Sequence, residues 1–273
     1  MSEPAPAATE PRTLAPPERR VALVSGVERI GAYHVITAHD VSGPTNPRPG
    51  QFYMLSSEER WGGGGDERPY LPRAFSYARI RKGELGFLVE AVGPGTQRLA
   101  ELREGEGLRL LGPLGIGWRP PSDDTRPVLV GGGIGTAPLV CLQDELGADA
   151  TVLLGFRSAA HAEGASLFHG EPAIATDDGS RGRAALVTDL LREDLDRDPS
   201  ATVFACGPPP MLEAVRLLCA QLDVPAQLAL EAGMACGFGA CFGCVVPTNE
   251  GYLRLCVDGP VLDAELLLPM AAR

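Results

Sequence analysis

The sequence lacks any run of about 18 consecutive apolar residues, which is the length that a membrane-spanning helix needs. Its beginning also lacks the apolar segment of a secretory signal, and residues 1–17 are instead rich in proline and alanine. Such a composition is typical of a disordered tail. We therefore expect neither a membrane span nor a secreted protein, and no internal repeat divides the chain.

Positive charge is scarce. The chain has 24 Lys and Arg against 35 Asp and Glu, and its formal net charge is −11. A surface this acidic repels phosphate backbones and anionic lipids, so neither nucleic acids nor membrane surfaces are expected as partners. A phosphate-bearing cofactor is still compatible with this charge, because backbone N–H groups and a single arginine can bind one.

Paired cysteines are not expected either. The chain has 7 cysteines, which is an odd number, and no sign of an extracellular address. Thiols in the reducing cytosol are free or bound to metal more often than they are paired. The sequence thus favours a cytoplasmic protein whose cysteines do not form disulfides.

Three regions are predicted from the pattern of apolar runs, since 273 residues are too many for one ordinary core. Residues 18–121 contain short β-rich runs with turn signals about every ten residues, which indicates a small antiparallel barrel. Residues 122–224 alternate apolar strands with helical stretches, which indicates a parallel sheet covered on both faces. Residues 225–273 form a small C-terminal region that holds four of the cysteines.

Helices are expected where apolar residues recur at helical spacing, over residues 95–105, 183–193 and 210–222. The stretch EERWGGGGDERP, residues 58–69, contains four consecutive glycines. Because glycine resists regular structure, we expect a flexible surface loop there.

A glycine turn follows the first apolar strand of the middle region, in VLVGGGIGTAPL. Glycines allow the backbone to approach a pyrophosphate closely, and a helix N-terminus offers unpaired N–H groups and the positive end of a dipole. The pattern is not a clean G-x-G-x-x-G, so a tight strand-to-helix turn without a ligand is the alternative. The residues predicted to bind a dinucleotide at this turn are Gly131, Gly132, Gly133 and Gly135.

A second turn suited to a ligand is FACGPPPM, in which a strand ends at Cys206 and Gly207-Pro208 leads into a helix. Ligands of open α/β sheets bind at the carboxyl edge of the strands, so Cys206 is a candidate to lie beside a nicotinamide ring. The alternative is a small thiol buried in the core. Asp177 and Asp178 precede a glycine and are interpreted as turn residues.

The first region holds a candidate flavin site in RAFSYA. An arginine pairs well with a phosphate, so Arg73 suits a pyrophosphate. Phe75 can cover an isoalloxazine ring, and the Ser76 hydroxyl can hydrogen-bond the flavin N5. Gly95 and Thr96 begin a helix, which is a second terminus suited to phosphate. The alternative for both stretches is an ordinary strand and a capped helix.

Four cysteines near the C-terminus have the spacing C-x4-C-x2-C-x11-C. The first three match the plant-type run that binds a [2Fe–2S] cluster. The glycines between them let the loop curl so that backbone N–H groups face the sulfur atoms. Structural zinc more often uses two separated short-spaced pairs, so zinc is the less favoured alternative. The predicted cluster ligands are Cys236, Cys241, Cys244 and Cys256.

With its motifs in this order, the chain resembles the electron-transfer subunits of the two-subunit, NAD-dependent dihydroorotate dehydrogenases, within the ferredoxin-reductase superfamily. The resemblance extends from residue 18 to residue 261. It depends most on CGPPPM and on the loop MACGFGACFGC, which matches the family's M-x-C-G-x-G-x-C-x-x-C. The stretch CVDGPV matches the family's final cysteine ligand and its flank.

The resemblance implies an FAD site on the family's R-x-x-S strand and G-T-x-x-L helix start, followed by a GPLG turn at residues 112–115. The chain departs from the family at Ala74, where proline is common, at Ile116, where asparagine is common, and in residues 61–69, which look like an insertion. The residues implied to bind FAD are Arg73, Ala74, Phe75, Ser76, Gly95 and Thr96.

The resemblance also implies an NAD(H) site, in which Ser76 and Cys206 align the flavin and the nicotinamide for hydride transfer. Arg157 and Ser158 follow the next strand, where the 2′-phosphate of NADP would be recognised, so NADP stays open as an alternative. The residues implied to bind NAD(H) are Gly131, Gly132, Gly133, Gly135, Cys206, Gly207 and Pro208.

The implied function is electron transfer between NAD(H) and a partner. NADH gives up two electrons together as hydride and a [2Fe–2S] cluster takes one at a time, whereas a flavin does both. The family's partner is an FMN-containing catalytic subunit that oxidises dihydroorotate, usually with two copies of each chain. The alternatives are a related subunit of a hydrogenase, a sulfide dehydrogenase or a glutamate synthase, and a non-enzymatic nucleotide-binding module held together by zinc.

Overall fold

The structure is a computed structural model, and it describes residues 18–44, 47–62, 69–147 and 149–269. The predicted tail over residues 1–17 and the part of the glycine-rich loop at 63–68 lie outside the described residues. Within the described ranges, no helix is long and apolar enough to cross a membrane.

The N-terminal part consists of strands β1 (Glu18–Ile30), β2 (Tyr33–His39), β3 (Phe52–Ser57), β4 (Arg73–Arg81), β5 (Glu84–Glu90) and β6 (Gly107–Leu114), with helix α1 (Pro94–Ala100) after β5. The six strands close into an antiparallel barrel in the order β1-β2-β5-β4-β3-β6. Alternate side chains of a strand face the barrel interior. There Tyr53 packs edge to face on Tyr77 and Phe87, with ring centroids 6.4 and 5.6 Å apart.

The second part is a seven-stranded sheet in the order β10-β9-β8-β7-β11-β12-β15. All neighbouring strands are parallel except the last pair. The strands are β7 (Arg126–Gly132), β8 (Thr151–Phe156), β9 (Ala173–Thr176), β10 (Arg183–Ala184), β11 (Ala201–Cys206), β12 (Ala226–Ala229) and β15 (Val261–Asp263). The helices are α2 (Ala137–Leu146), α3 (Ala159–Ala162), α4 (Val187–Arg197) and α5 (Pro209–Leu222), with 3-10 turns at Gly133–Thr136, Glu163–Leu167 and Ala264–Leu266.

The C-terminal part begins where the chain leaves β12. It passes through the cysteine loop and a hairpin of β13 (Val245–Thr248) and β14 (Gly251–Arg254), and then returns to the sheet as β15. The predicted fold class, a barrel followed by a parallel sheet and a small C-terminal region, is confirmed. Two strands beyond residue 224 complete the sheet, while the domain boundaries themselves stay a prediction.

The predicted helices form with shifted ends. The helix expected over residues 210–222 is α5, whereas the helix expected at 95–105 stops after residue 100. The helix expected at 183–193 was placed four residues too early, because Arg183 and Ala184 form a strand. The Asp189 side chain then accepts a hydrogen bond from the Leu186 N–H at 3.0 Å, which caps the helix at its observed start.

The barrel contacts the sheet region through the turn between β1 and β2. Gly31 has a φ of +57°, and a Cβ at this position would lie 2.0 Å from the carbonyl oxygen of Ala160. The neighbouring Ala32 N–H donates a hydrogen bond to that carbonyl at 2.9 Å. Tyr33 is fully buried next to this turn and packs edge to face on His161, with ring centroids 5.8 Å apart.

Replacing Gly31 with alanine should destabilise the protein, because the methyl group is strained at this φ and collides with Ala160. We expect a loss of about 2–4 kcal/mol in the free energy of unfolding, given the usual costs of left-handed backbone and overpacking. Gly105→Ala is the matched control, since Gly105 has a φ of +83° with open space around its Cβ position, and it should lose only about 1 kcal/mol. Urea unfolding measures both variants, and equal losses would contradict the contact.

Candidate functional site

A first cavity, of 270 Å³, lies between β4 of the barrel and the carboxyl edge of the sheet. Ala74, Phe75 and Ser76 line it from the barrel side, so three residues predicted to bind flavin lie together. Cys206 and Met234 line it from the opposite side. Mostly apolar walls with a few polar groups suit a flat aromatic ring.

Arg73 reaches the start of α1. A Cβ on Gly95 would lie 2.8–2.9 Å from atoms of the Arg73 guanidinium, so the two predicted phosphate-binding residues are in contact. The guanidinium also donates a hydrogen bond to the carbonyl of Leu71 and stands 5.8 Å from the ring centroid of Trp61. These contacts hold a positive charge beside the helix start, which suits a phosphate.

Thr96 lines the first cavity, but its hydroxyl is already engaged. The Thr96 Oγ1 accepts hydrogen bonds from the N–H groups of Val92 and Gly93 at 2.9 and 3.0 Å. Thr96 therefore fixes the turn that leads into α1, as the capped-helix alternative predicts, while standing at the cavity wall.

A second cavity, of 730 Å³, lies at the carboxyl edge of β7, β8 and β11. It contains the two ligand-suited turns, since it is lined by Gly132, Gly133, Gly135, Gly207 and Pro208. The first and second cavities adjoin, because they share the lining residues Glu90, Ile134 and Glu231.

The four glycines of the first turn do not serve the same purpose. A Cβ on Gly131 or Gly132 would lie 2.9 or 2.5 Å from a neighbouring side chain, and one on Gly135 would lie 2.6 Å from the Cys206 carbonyl oxygen. Close packing therefore explains these three glycines, against side chains at Gly131 and Gly132 and against backbone at Gly135. Gly133 has a φ of +55°, and the nearest atom to its Cβ position is the Tyr33 hydroxyl at 4.0 Å, so it is the glycine that leaves room for a ligand.

Cys206 ends β11 at the wall of the first cavity and is buried. Burial, and to a smaller extent the negative charge of Glu231, raises the pKa of the Cys206 thiol well above its ordinary value. Glu231 follows β12, and its surface opens onto the two cavities. The surrounding protein partly shields its carboxyl group from water, and this desolvation raises the pKa of Glu231. The Cys206 thiol is therefore a neutral contact surface and not a nucleophile.

Arg157 and Ser158 belong to one polar cluster, of which Arg157 lines the second cavity. The Arg157 guanidinium donates a hydrogen bond to Glu90 Oε1 at 2.9 Å, and His161 Nε2 lies 3.3 Å from the same oxygen. The Ser158 Oγ lies 2.9 Å from His161 Nδ1. Glu90 belongs to the barrel, so this cluster joins the two parts of the molecule.

The two aspartates interpreted as turn residues differ. Asp178 accepts hydrogen bonds from the N–H and the hydroxyl of Ser180 at 3.0 and 2.6 Å, as a turn residue does. Asp177 lines the second cavity, which its interpretation as a turn residue did not anticipate.

The cysteine loop lies against the outside of the barrel. Gly237 has a φ of +79°, and a Cβ there would lie 2.6 Å from Met54 Cγ of β3. The Arg254 guanidinium donates a hydrogen bond to the Gly239 carbonyl at 3.2 Å, which ties the loop to β14. Met234, at the start of the loop, lines the first cavity, so the loop and that cavity adjoin.

The four thiols lie in two neighbouring pairs. Cys244 and Cys256 are buried with their sulfur atoms 3.2 Å apart, and the N–H of the exposed Cys241 donates to Cys236 Sγ at 3.4 Å. Across the described ranges, no three His, Cys, Asp or Glu side chains converge as they would around a single ion. A [2Fe–2S] cluster takes two protein ligands on each iron, so an arrangement in two pairs suits it.

Backbone N–H groups make the Cys236 environment favourable to a thiolate. Burial alone would raise the pKa of Cys236, but hydrogen bonds from the N–H groups of Cys241 and Phe238, from the Cys241 thiol and from the Ala240 N–H lower it to about 6. For Cys256, burial and the neighbouring Cys244 thiol raise the pKa to about 12. The curled loop thus directs N–H donors toward negatively charged sulfur, as a cluster requires.

Sequence reasoning missed Glu90 and Glu231, which line both cavities. A signal for Glu231 was present, since it directly follows the apolar strand AQLAL at the edge where ligands bind. Glu90 ends a barrel strand, and nothing local in the sequence shows that it faces the sheet.

Comparison with known proteins identifies the family. Residues 231–268 match the model of the iron–sulfur cluster binding domain of dihydroorotate dehydrogenase B. A relative in Caldanaerobacter subterraneus subsp. tengcongensis, named dihydroorotate dehydrogenase B (NAD(+)), electron transfer subunit, is 35% identical and aligns over 81% of this chain and 87% of its own. A Geobacillus protein of the same name is 42% identical over 79% of this chain and 85% of its own. The chain belongs to the family of these electron transfer subunits, as its motifs predicted.

Solved structures show the same architecture. An NADH-dependent reduced ferredoxin-NADP oxidoreductase structure aligns over 91% of this chain and 90% of its own, with a TM-score of 0.76 and 25% identity. A ferredoxin NADP+ reductase from Neisseria gonorrhoeae aligns over 75% of this chain and 91% of its own, with a TM-score of 0.58 and 15% identity. The second likeness shows the fold alone.

Replacing Gly237 with alanine should lower cluster occupancy severalfold, because the methyl group is strained at this φ and collides with Met54, which displaces the cysteines on either side. Gly251→Ala is the matched control. Gly251 lies outside the cysteine loop and has a φ of +120° with open space around its Cβ position, so this variant is strained without a collision and should keep most of its iron. Iron and acid-labile sulfide per chain after anaerobic purification measure both, and full occupancy in Gly237→Ala would contradict the loop geometry.

Proposed function

We propose that the protein exchanges electrons between NAD(H) and an FMN-containing catalytic subunit that interconverts dihydroorotate and orotate, by way of its own FAD and [2Fe–2S] cluster. We further propose an assembly with two copies of each chain, working in the cytoplasm, where thiols stay reduced. Membership in the family of electron transfer subunits of dihydroorotate dehydrogenase B supports a catalytic partner.

One observation carries this proposal: three candidate sites lie in a row. The second cavity shares Glu90, Ile134 and Glu231 with the first cavity. The first cavity then meets the cysteine loop at Met234. A dinucleotide, a flavin and a cluster in these three places would be neighbours, which electron transfer between them requires.

The residues present fit each group. Arg73 beside the start of α1 suits the FAD pyrophosphate, and the apolar first cavity suits its ring system. Gly133 leaves room for a dinucleotide, and the paired thiols with their N–H donors suit a [2Fe–2S] cluster. When bound, these cofactors supply the chemistry, hydride transfer at the nicotinamide and flavin and single-electron transfer at the cluster.

The protein's own residues would position the bound cofactors. Ser76 and the neutral Cys206 thiol line the same cavity, one from the barrel and one from the sheet, so together they would align a flavin and a nicotinamide bound there. Glu231 stands at the junction of the two cavities, where its side chain lines both. We assign these residues to alignment, with no acid or base required of them.

An exposed apolar surface next to the cluster loop supports a partner there. Phe238, Phe242 and Tyr252 are 48, 63 and 79% exposed. Phe242 and Tyr252 line one shallow depression together with Arg254. Large exposed apolar side chains grouped in this way mark interaction surfaces, and Cys241 is itself exposed in the same loop.

Cys241→Ser tests the proposed route. The variant should lose its cluster, since serine is a poor ligand for iron. It should keep its FAD and its NADH-dependent reduction of ferricyanide, because neither cavity contains residue 241. In complex with the catalytic subunit, the rate of dihydroorotate-dependent reduction of NAD+ should fall by about a hundredfold or more. Without the cluster, no electron carrier is left between the FAD and the partner, and transfer depends steeply on the distance between carriers.

Cys219→Ala is the matched control, because it removes a buried thiol from α5, outside the loop. It should keep the visible spectrum of both cofactors and transfer to the partner. Undiminished transfer in Cys241→Ser would contradict the route, and a colourless wild-type protein with one zinc per chain would contradict the proposed function itself.

A further inference from the structure

Arg157 occupies an unexpected position for a protein that uses NADH. In dinucleotide-binding folds, an acidic residue about 20 residues after the glycine turn hydrogen-bonds the ribose 2′-hydroxyl of NAD, whereas an arginine nearby accommodates the 2′-phosphate of NADP. Here the residue that follows β8 is Arg157, and it lines the second cavity. Read alone, the sheet region would favour NADPH.

The structure shows what holds this arginine. The Arg157 guanidinium pairs with Glu90 Oε1 at 2.9 Å, and the same oxygen lies 3.3 Å from His161 Nε2. The Glu90 side chain is 20% exposed and the Arg157 side chain 68% exposed, so the carboxylate is fixed in the wall while the guanidinium stands at the opening. Glu90 comes from β5 of the barrel and lines both cavities.

The acidic side chains of the second cavity oppose a 2′-phosphate. Asp177 lines the same cavity from the end of β9, and Glu231 lines it at the junction with the first. A 2′-phosphate would have to take Arg157 away from Glu90 and then face the carboxylates of Glu90 and Asp177. A 2′-hydroxyl meets no such repulsion, because it can donate a hydrogen bond to a carboxylate.

We propose that Glu90 makes this site select NADH over NADPH, as a specificity-determining residue that the barrel contributes to the dinucleotide cavity. It acts through Arg157, whose guanidinium it keeps paired, and it supplies from the barrel the acidic group that the sheet region lacks at that position. This inference depends on the proposed function, in which the dinucleotide occupies the second cavity.

The selection of NADH over NADPH then depends on the contact between the barrel and the sheet region. Glu90 reaches the cavity because the β1–β2 turn and Tyr33 pack against α3, the short helix that carries His161. A sheet region separated from its barrel would keep Arg157 and lose the carboxylate that restrains it.

Glu90→Gln tests the proposal in the full-length, FAD-loaded protein, with ferricyanide as acceptor and with NADH and NADPH as the probes. The quantity measured is the ratio of kcat/KM for NADPH to kcat/KM for NADH. We expect Glu90→Gln to raise this ratio about tenfold or more. Arg157 then keeps its contact with His161 Nε2, at 3.3 Å, but loses its anionic partner, so its charge can bind the 2′-phosphate with a charge-assisted hydrogen bond. In the double variant Glu90→Gln/Arg157→Gln, the ratio should return toward the wild-type value.

Glu84→Gln is the matched control, since it makes the same change at the other end of β5, away from both cavities. It should leave the ratio at the wild-type value. An unchanged ratio in Glu90→Gln, or a raised ratio that persists without Arg157, would overturn the proposal. Failure of NADH to reduce the flavin of the wild-type protein would instead overturn the proposed function, so the two failures are distinguishable.

Discussion

The contact between the barrel and the carboxyl edge of the parallel sheet is the constraint on which the rest of the molecule depends. Both cavities have walls from each side of this contact. The first lies between β4 and β5 of the barrel and the ends of β11 and β12, and the second lies between Tyr33 and Glu90 of the barrel and the ends of β7 and β8. The contact is close at Gly31, where there is no room for a methyl group. A small change in this packing would alter the distance between the two cofactor sites, and hydride transfer depends steeply on that distance.

A second close approach lies within the sheet itself. Gly135 packs against the backbone of Cys206, where an added Cβ would lie 2.6 Å from the carbonyl oxygen. This contact brings the glycine turn after β7 and the turn after β11 together at the edge of the sheet. As a result, Cys206 reaches the first cavity while Gly133 borders the second. The glycine turn therefore has a packing role of its own, in addition to the phosphate binding that its sequence predicts.

Much of this arrangement could be predicted from the sequence because it follows from local rules. Alternating short strands predicted the barrel, strand–helix alternation predicted the parallel sheet, and cysteine spacing predicted the cluster loop. The start of α4 was misplaced because its cap, Asp189, acts from inside the helix rather than before it. The contacts between residues that are far apart in the sequence could not be predicted. Glu90 and Arg157 are far apart in sequence, and no periodicity or motif shows that a barrel carboxylate faces the sheet.

The cysteine loop combines two opposing requirements. A cluster needs thiolates protected from water on one side and access to a partner on the other. The loop meets both by dividing its thiols, with Cys244 and Cys256 buried against the body of the protein and Cys241 exposed.

Phe242 follows Cys241 with a φ of +58°, a conformation that is costly for a bulky residue. The Arg254 guanidinium stands 5.3 Å from its ring centroid, and this cation–π contact helps to hold the ring at the surface. The strained residue and the exposed thiol therefore face outward together, on the side of the loop where a partner can approach.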